Sequence, residues 1–176
     1  MKNRGMVFVL ILLTLVLATG MPAAEGDPSG EFQEILGKLQ RQSRTATPYA
    51  FVDQAEKLLF GFLEKYPESP EAAKAHFTLG RVYSSIGKHK DAVEHINNYL
   101  TAKIERIPSH EALARYFLAA SHLALENFDT SEKLLRELVS NDRLDRRLSE
   151  MAQRELARIG TLRKLGIGAP AIGFSA

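Results

Sequence analysis

Two stretches of the chain repeat one pattern of small and large apolar residues, and this repeat constrains the fold more than any other feature. The first, HFTLGRVYSSIGKHKDAVEHI, begins at His76, and the second, RYFLAASHLALENFDTSEKLL, begins at Arg115. The shift between them is therefore 115 − 76 = 39 positions. Apolar residues recur in both with the period of a helix and not with the alternation of a strand. The repeat predicts two successive helical hairpins.

Small residues mark where the two helices of each hairpin approach one another. Gly80 aligns with Ala119 on the first helices, and Ala92 aligns with Ser131 on the second. Since protein interiors are close-packed, a small residue on one helix lets the other come near. We expect Gly80 and Ala119 to face Ala92 and Ser131.

Helical period continues through almost the whole chain from Glu31 onward. Thr47-Pro48 and Ser69-Pro70 have the form of an N-cap followed by proline at the first helical position. Gly87 suits a left-handed helix end. Further helices are expected from Asp91, Ser109 and Asp129, and a seventh is expected after a cap at Asn141-Asp142, reaching about Ile159. Because the breaks are short, neighbouring helices should pack antiparallel in an all-α fold.

The motif HxxLGxxY from His76, followed by AxxxI from Ala92, resembles the tetratricopeptide (TPR) pattern, with histidine where tryptophan is usual. AxxxL from Ala55 is similar to the second half of an earlier repeat. The shift exceeds the usual repeat of about 34 residues, and the segment Thr101 to Pro108 can absorb the excess. The resemblance covers roughly residues 32–139. It implies a TPR-like right-handed stack of antiparallel helical hairpins, with the seventh helix as a solubilising cap. The alternative is an ordinary helical bundle, which three hairpins in one register make the weaker interpretation.

The first 24 residues have the composition of a signal peptide. Two basic residues precede an apolar run from Met6 to Ala18, and small residues follow it. The run is short for a membrane-spanning helix, so a retained anchor is the weaker interpretation. Cleavage is expected after Gly20 or Ala24, followed by a linker over residues 25–30. We expect an exported protein, periplasmic or secreted, with no stable membrane span after cleavage.

Removal of that segment changes the charge balance. The chain has 23 Lys and Arg against 21 Asp and Glu, a formal charge of +2. Residues 1–24 contain Lys2 and Arg4 and no acid, which leaves 23 − 2 = 21 basic residues and a neutral mature chain. Phosphate binding requires a concentrated basic field, so we expect no nucleic-acid partner.

The residues that carry chemistry do not form a catalytic pattern. The absence of Cys excludes disulfides, thiolate metal sites and cysteine nucleophiles within this chain. The five histidines do not pair as HExxH, and P-loop, GxGxxG and GxSxG motifs are missing. His76 and His122 stand at repeat positions where other repeats place aromatic rings, so we expect them to be packed. The sequence predicts no catalytic, cofactor-binding or metal-binding residue, and therefore no enzyme.

In a stack of paired helices the first helices line a concave groove. The resemblance places two sets of residues along it: Lys74, Phe77, Arg81 and Ser84, then Leu113, Tyr116, Ala120 and Leu123. Phe77 and Tyr116 are the expected anchors, because aromatic side chains carry much interface energy. Leu113 and Leu123 are equally compatible with the core. A groove of this composition favours an extended or helical peptide or protein segment as partner.

The seventh predicted helix carries a row of arginines on one face, interrupted by Glu150: Arg143, Arg147, Arg154 and Arg158. A docking surface for an acidic partner or for lipid headgroups is one interpretation. A solvated end cap held by ion pairs is the stronger one, because acids interleave with the arginines.

After Ile159 the helical period stops, and residues 160–176 are expected to form a flexible or extended tail. The stretch LGIGAPAI from Leu165 resembles the opening of TlpA/redoxin-type thioredoxin-like domains, although no CxxC follows. The sequence is therefore compatible with two functions. The first is a non-catalytic, TPR-like interaction module, which could also form homo-oligomers end to end. The alternative is the N-terminal helical part of a truncated thiol-disulfide oxidoreductase, in which case no catalytic residue is present.

Overall fold

A computed structural model describes residues 26–167, and all regular secondary structure in this range is helical. The seven helices are α1 Pro28–Gln42, α2 Pro48–Lys65, α3 Pro70–Ser85, α4 His89–Thr101, α5 Pro108–Ala124, α6 Phe128–Val139 and α7 Arg146–Lys164. The predicted all-α class and the number of helices are confirmed for these residues. The predicted signal peptide and most of the redoxin-like stretch lie outside them.

Side-chain caps and proline fix where several helices begin. The Thr47 hydroxyl accepts a hydrogen bond from the Ala50 N–H at 3.4 Å, and the Ser69 hydroxyl accepts one from the Ala72 N–H at 3.1 Å. Both predicted caps are confirmed. Asp27 caps α1 in the same way, so that this helix begins at Pro28, inside the expected linker.

The predicted limits of the seventh helix are wrong at both ends. Its cap is Asp145, whose carboxylate accepts a hydrogen bond from the Leu148 N–H at 3.2 Å. Asn141 instead accepts from the Arg143 N–H at 3.0 Å in the preceding turn. The helix continues past Ile159 to Lys164, because Ile159 and Leu162 keep its apolar face packed against the core. A glycine at position 160 costs little when that packing continues.

The two central hairpins turn in the same way. Gly87 has the predicted left-handed conformation (φ +80°), and the Lys88 N–H donates to the Tyr83 carbonyl at 3.0 Å. In the next hairpin Glu126 occupies the corresponding place with φ +62°, and the Asn127 N–H donates to the His122 carbonyl at 2.9 Å. The repeat seen in the sequence is therefore also a repeat of backbone geometry.

The helices are arranged in two rows. Each helix contacts its neighbours in the chain, and α1, α3, α5 and α7 also contact one another in series. Within residues 26–167 the backbones of the even-numbered helices lie farther apart, with no Cα atoms of two such helices within 8 Å, although the Phe60 and His95 side chains meet between α2 and α4. The odd-numbered helices thus form one continuous row, and each even-numbered helix packs between two members of it.

The core follows these rows in two clusters that meet at α5. The first is built by α1 to α5, from Phe32 to Leu118. The second is built by α5, α6 and α7, from Tyr116 to Ile159. Since α5 supplies buried residues to both clusters, it joins the two halves of the described structure.

Close helix contacts explain the small residues. A Cβ atom added at Gly80 would lie 2.5 Å from Ile96 Cγ1 and 3.2 Å from the Ile96 backbone nitrogen. The expected close approach is confirmed, although the nearest atoms belong to Ile96 and not to Ala92. In the next hairpin Ala119 faces Ser131, as the alignment predicts, and the Ser131 hydroxyl donates to the Ala119 carbonyl at 2.8 Å.

Arg106 closes the long connection between α4 and α5. Its guanidinium donates to the Tyr99 carbonyl at 3.3 Å, to the Leu100 carbonyl at 2.7 Å and also to the Ala102 carbonyl. These carbonyls have no partner within the helix, because the last turn of a helix leaves them free. Arg106 therefore supplies hydrogen-bond donors to the carbonyls at the end of α4 and holds the connection against that helix.

Candidate functional site

The structure places the eight predicted groove residues at different depths. Lys74 and Arg81 are exposed, whereas Ser84, Leu113 and Ala120 are half-buried. Three are buried, with exposed fractions of 8% for Phe77, 9% for Tyr116 and 4% for Leu123. The accessible part of the predicted groove is therefore smaller than the sequence suggests.

Phe77 and Tyr116, the expected anchors, stabilise the packing of the helices. The Phe77 ring stacks on Tyr99 of α4 with 4.9 Å between centroids. Tyr116 belongs to the core cluster that includes Leu148 of α7, and burial raises the pKa of its hydroxyl. In this conformation both rings offer little surface to a ligand. Leu123 belongs to the same cluster, which agrees with the core alternative.

Arg81 lies at the junction of α3 and α5. Its guanidinium carbon is 5.6 Å from the centroid of the Phe77 ring and 5.8 Å from that of Phe117. Cation–π attraction at these distances stabilises the guanidinium beside the two rings. Within residues 26–167 no carboxylate forms an ion pair with Arg81. A guanidinium without a carboxylate partner can bind an acidic group from a ligand.

Accessible residues of the two helices form one surface, which we call the α3–α5 face: Lys74, Arg81, Ser84, Leu113, Phe117 and Ala120. The Ser84 and Ser121 hydroxyls lie 3.4 Å apart and link the two helices. The face is basic along α3 and apolar along α5. The Lys74 ammonium forms an ion pair with the Glu71 carboxylate, with 3.2 Å between Nζ and Oε1.

Phe117 is the residue of this face that the sequence analysis missed. It is half-buried, next to the buried Tyr116, and its ring is the aromatic surface nearest to Arg81 on α5. The signal that could have identified it is the spacing of Leu113, Phe117 and Ala120, which places all three on one side of a helix.

A pair of histidines also went unrecognised in the sequence. His76 Nδ1 of α3 and His95 Nδ1 of α4 lie 2.8 Å apart, and His95 is only 8% exposed. Burial lowers the pKa of both imidazoles. The two residues are 19 positions apart in sequence, so only the packing of the hairpin brings them together.

Of the four arginines that the sequence placed on the seventh helix, Arg147, Arg154 and Arg158 lie on α7 and are exposed. The prediction is wrong for Arg143, which is also exposed but lies in the turn before the Asp145 cap. Acids on α7 take part in ion pairs, with Glu150 at 2.8 Å from Arg146 and Glu155 at 3.5 Å from Arg158. This arrangement agrees with a solvated end of the row of helices. Docking to an acidic partner stays a prediction.

An open cleft between α6 and α7 is also lined by paired charges. Its volume is about 690 Å³, and at its border Glu132 forms ion pairs with both Arg136 and Arg163. The described part of the chain contains no group of three or more His, Asp or Glu side chains that could hold a metal ion. Among helices α1 to α7, none is long and apolar enough to cross a membrane.

Comparison of the chain with protein-family models, with curated proteins and with solved structures gave no match. The residues and their geometry are therefore the basis of any functional assignment.

Proposed function

We propose that the chain is a TPR-like interaction module that binds a peptide or protein segment along the α3–α5 face and performs no catalysis itself. The observation that carries the proposal is the repetition of the hairpin. Two successive hairpins share the turns at Gly87 and Glu126, and their first helices pack side by side in one row. In stacks of this kind the row of first helices is the surface that ligands use.

The chemistry of the α3–α5 face suggests what the segment contains. Arg81 can donate its N–H groups to an acidic side chain or a carbonyl, whereas Lys74, about two helical turns away, is already paired with Glu71 at 3.2 Å. Leu113, Phe117 and Ala120 offer an apolar strip beside them. The proposed partner therefore combines an acidic group with apolar side chains, a combination that charge-assisted hydrogen bonds and apolar burial both stabilise.

A single substitution tests the face. Ala120→Arg puts a long charged side chain onto the apolar strip. The probes are peptides that the wild-type protein selects from a random library. We expect the substitution to weaken their binding at least about tenfold, which corresponds to a loss of about 1.4 kcal/mol of binding free energy. Fluorescence anisotropy with a labelled selected peptide measures the change. Thr130→Arg, on the exposed side of α6, is the matched control and should leave affinity unchanged.

Equal affinity of the Ala120→Arg and Thr130→Arg proteins would contradict the proposed face. The melting temperatures of both variants show whether weaker binding comes from the altered face or from unfolding, because a folded Ala120→Arg protein melts close to the wild-type temperature.

The site of action follows from the first 24 residues. The signal-peptide pattern supports export, and the proposed module would then act in the periplasm or outside the cell. Export and peptide binding are independent proposals, since they rest on different parts of the chain.

A further inference from the structure

The histidine pair joins the two helices of the first central hairpin. His76 of α3 and His95 of α4 approach through their Nδ1 atoms at 2.8 Å, with ring centroids 5.0 Å apart. A contact of this length between two imidazole nitrogens is a hydrogen bond in which one ring donates and the other accepts. It therefore requires that at least one of the two rings is neutral.

Aromatic rings enclose His95 from two sides. Phe60 of α2 lies 5.8 Å from the His95 ring centroid, and Tyr83 of α3 lies 5.4 Å from it. His76 is half-buried and lines a cleft of about 450 Å³ together with Glu68 and Lys103. The pair thus has one ring in the core and one that water can reach.

The carboxylates near the pair offset only part of the effect of burial on the pKa values of the two imidazoles. Asp91 and Glu94 of α4 raise the pKa of His95, and Glu94 also raises that of His76, yet the larger effect of burial lowers both. On the α2 side Glu56 is paired with Lys88 at 3.0 Å and lies beside the Tyr83 hydroxyl. None of the ion pairs found in residues 26–167 includes His76 or His95.

Protonation acts on this pair in two steps. The first proton converts one ring to imidazolium, which can still donate through Nδ1 to the neutral partner, although the charge is half-buried. The second proton occupies the accepting Nδ1, so that two positively charged N–H groups face each other. The hydrogen bond is then lost, and like charges at this distance repel.

We propose that the His76–His95 pair is an acid-sensitive latch that holds α3 to α4 and loosens this hairpin when both imidazoles are protonated. The inference depends on the packing of the hairpin alone and is independent of the proposed peptide binding.

The direction of the pH effect follows from proton linkage. In the unfolded chain the histidines titrate near their ordinary pKa of about 6.5, and in the folded chain their pKa values lie lower. Between the folded and unfolded values the unfolded state binds more protons. The stability that the pair contributes is therefore complete above about pH 6.5 and is lost as the pH falls below it.

The test compares urea unfolding of the full chain at about pH 7.5 and about pH 5. Replacing both rings, by His76→Gln together with His95→Phe, removes both titrating groups while Phe fits beside Phe60 and Tyr83. Acidification should raise the unfolding equilibrium constant of the wild type at least about tenfold more than that of this variant. The matched control is His122→Gln, which removes a half-buried histidine outside the pair and should keep the larger part of the wild-type acid effect.

Titration of the histidine ring signals by NMR gives a readout on the unmodified protein, whether or not the double variant folds. The latch predicts that at least one ring of the pair titrates below His122 and that the two titrations are coupled. Independent titration of His76 and His95 at the pH of His122 would overturn the proposal. An acid effect of equal size in the wild type and in a folded double variant would also overturn it.

Discussion

Gly80 leaves no room for a side chain in the contact between α3 and α4. Ile96, its nearest neighbour, is fully buried and cannot move aside into empty space. In the next hairpin Ala119 and Ser131 align with Gly80 and Ala92, and there the Ser131 hydroxyl donates a hydrogen bond to the Ala119 carbonyl. The same repeat position is therefore filled by different chemistry in the two hairpins.

Gly80→Ala should destabilise the protein, because the new methyl group overlaps Ile96. Overpacking of a core costs about 1–3 kcal/mol, and the better helix propensity of alanine returns about 1 kcal/mol, so we expect a net loss of up to about 2 kcal/mol. The free energy of unfolding in urea measures it.

Gly61→Ala is the matched control for this substitution. Gly61 is also inside a helix, but nothing lies within 4 Å of a Cβ atom added there. It should gain up to about 1 kcal/mol from helix propensity alone. If the two substitutions changed stability in the same direction, the close contact at Gly80 would not exist as described.

Residue spacing alone identified Gly80, Ser69 and Thr47, because glycine at a helix contact and hydroxyl caps before proline have local causes. It could not identify the His76–His95 pair or the burial of Phe77. Those depend on which residues of α4 and α5 come opposite, and this is decided by packing between elements distant in sequence.

At the scale of the elements, each central hairpin is closed by one residue with positive φ. Gly87 adopts this conformation without cost, since it has no side chain. Glu126 adopts it at φ +62°, where a Cβ atom comes close to the following carbonyl oxygen. The second hairpin thus keeps the shape of the first turn at the expense of backbone strain.

Glu126→Gly should therefore stabilise the protein by about 1 kcal/mol, the strain of one left-handed residue. Gly87→Ala introduces that strain in the first hairpin, and the added Cβ atom has no other atom within 4 Å. This substitution should destabilise the protein by a similar amount. Chemical denaturation of both variants measures the pair. Loss of stability in Glu126→Gly would show that the two turns are not equivalent.

The limits of α7 illustrate why element boundaries are harder to predict than elements. Both Asn141-Asp142 and Asp145 are good caps, and the sequence does not rank them. The packing of Leu148 and Ile159 in the second core cluster selects the register that starts after Asp145 and continues through Gly160.

At the scale of the whole molecule, the two rows of helices create the surface on which the proposed function rests. Periodicity and short connections were sufficient to predict an all-helical chain of hairpins, because each is a local property. Which groove residues stay accessible was not predictable, since α7 covers Tyr116 while Phe117 stays partly open. Compared with the groove that the sequence predicted, the α3–α5 face is therefore centred on Arg81, Phe117 and Ala120.

The most direct test of this account is to map where a bound peptide lies. Amide chemical shifts of the isotope-labelled protein are followed while a library-selected peptide is added. Binding along the α3–α5 face predicts that the largest changes fall on α3 and α5, around Lys74, Arg81 and Ala120, and that α4 and α6 change little. Changes concentrated on α4 and α6, or on the exposed arginines of α7, would contradict it.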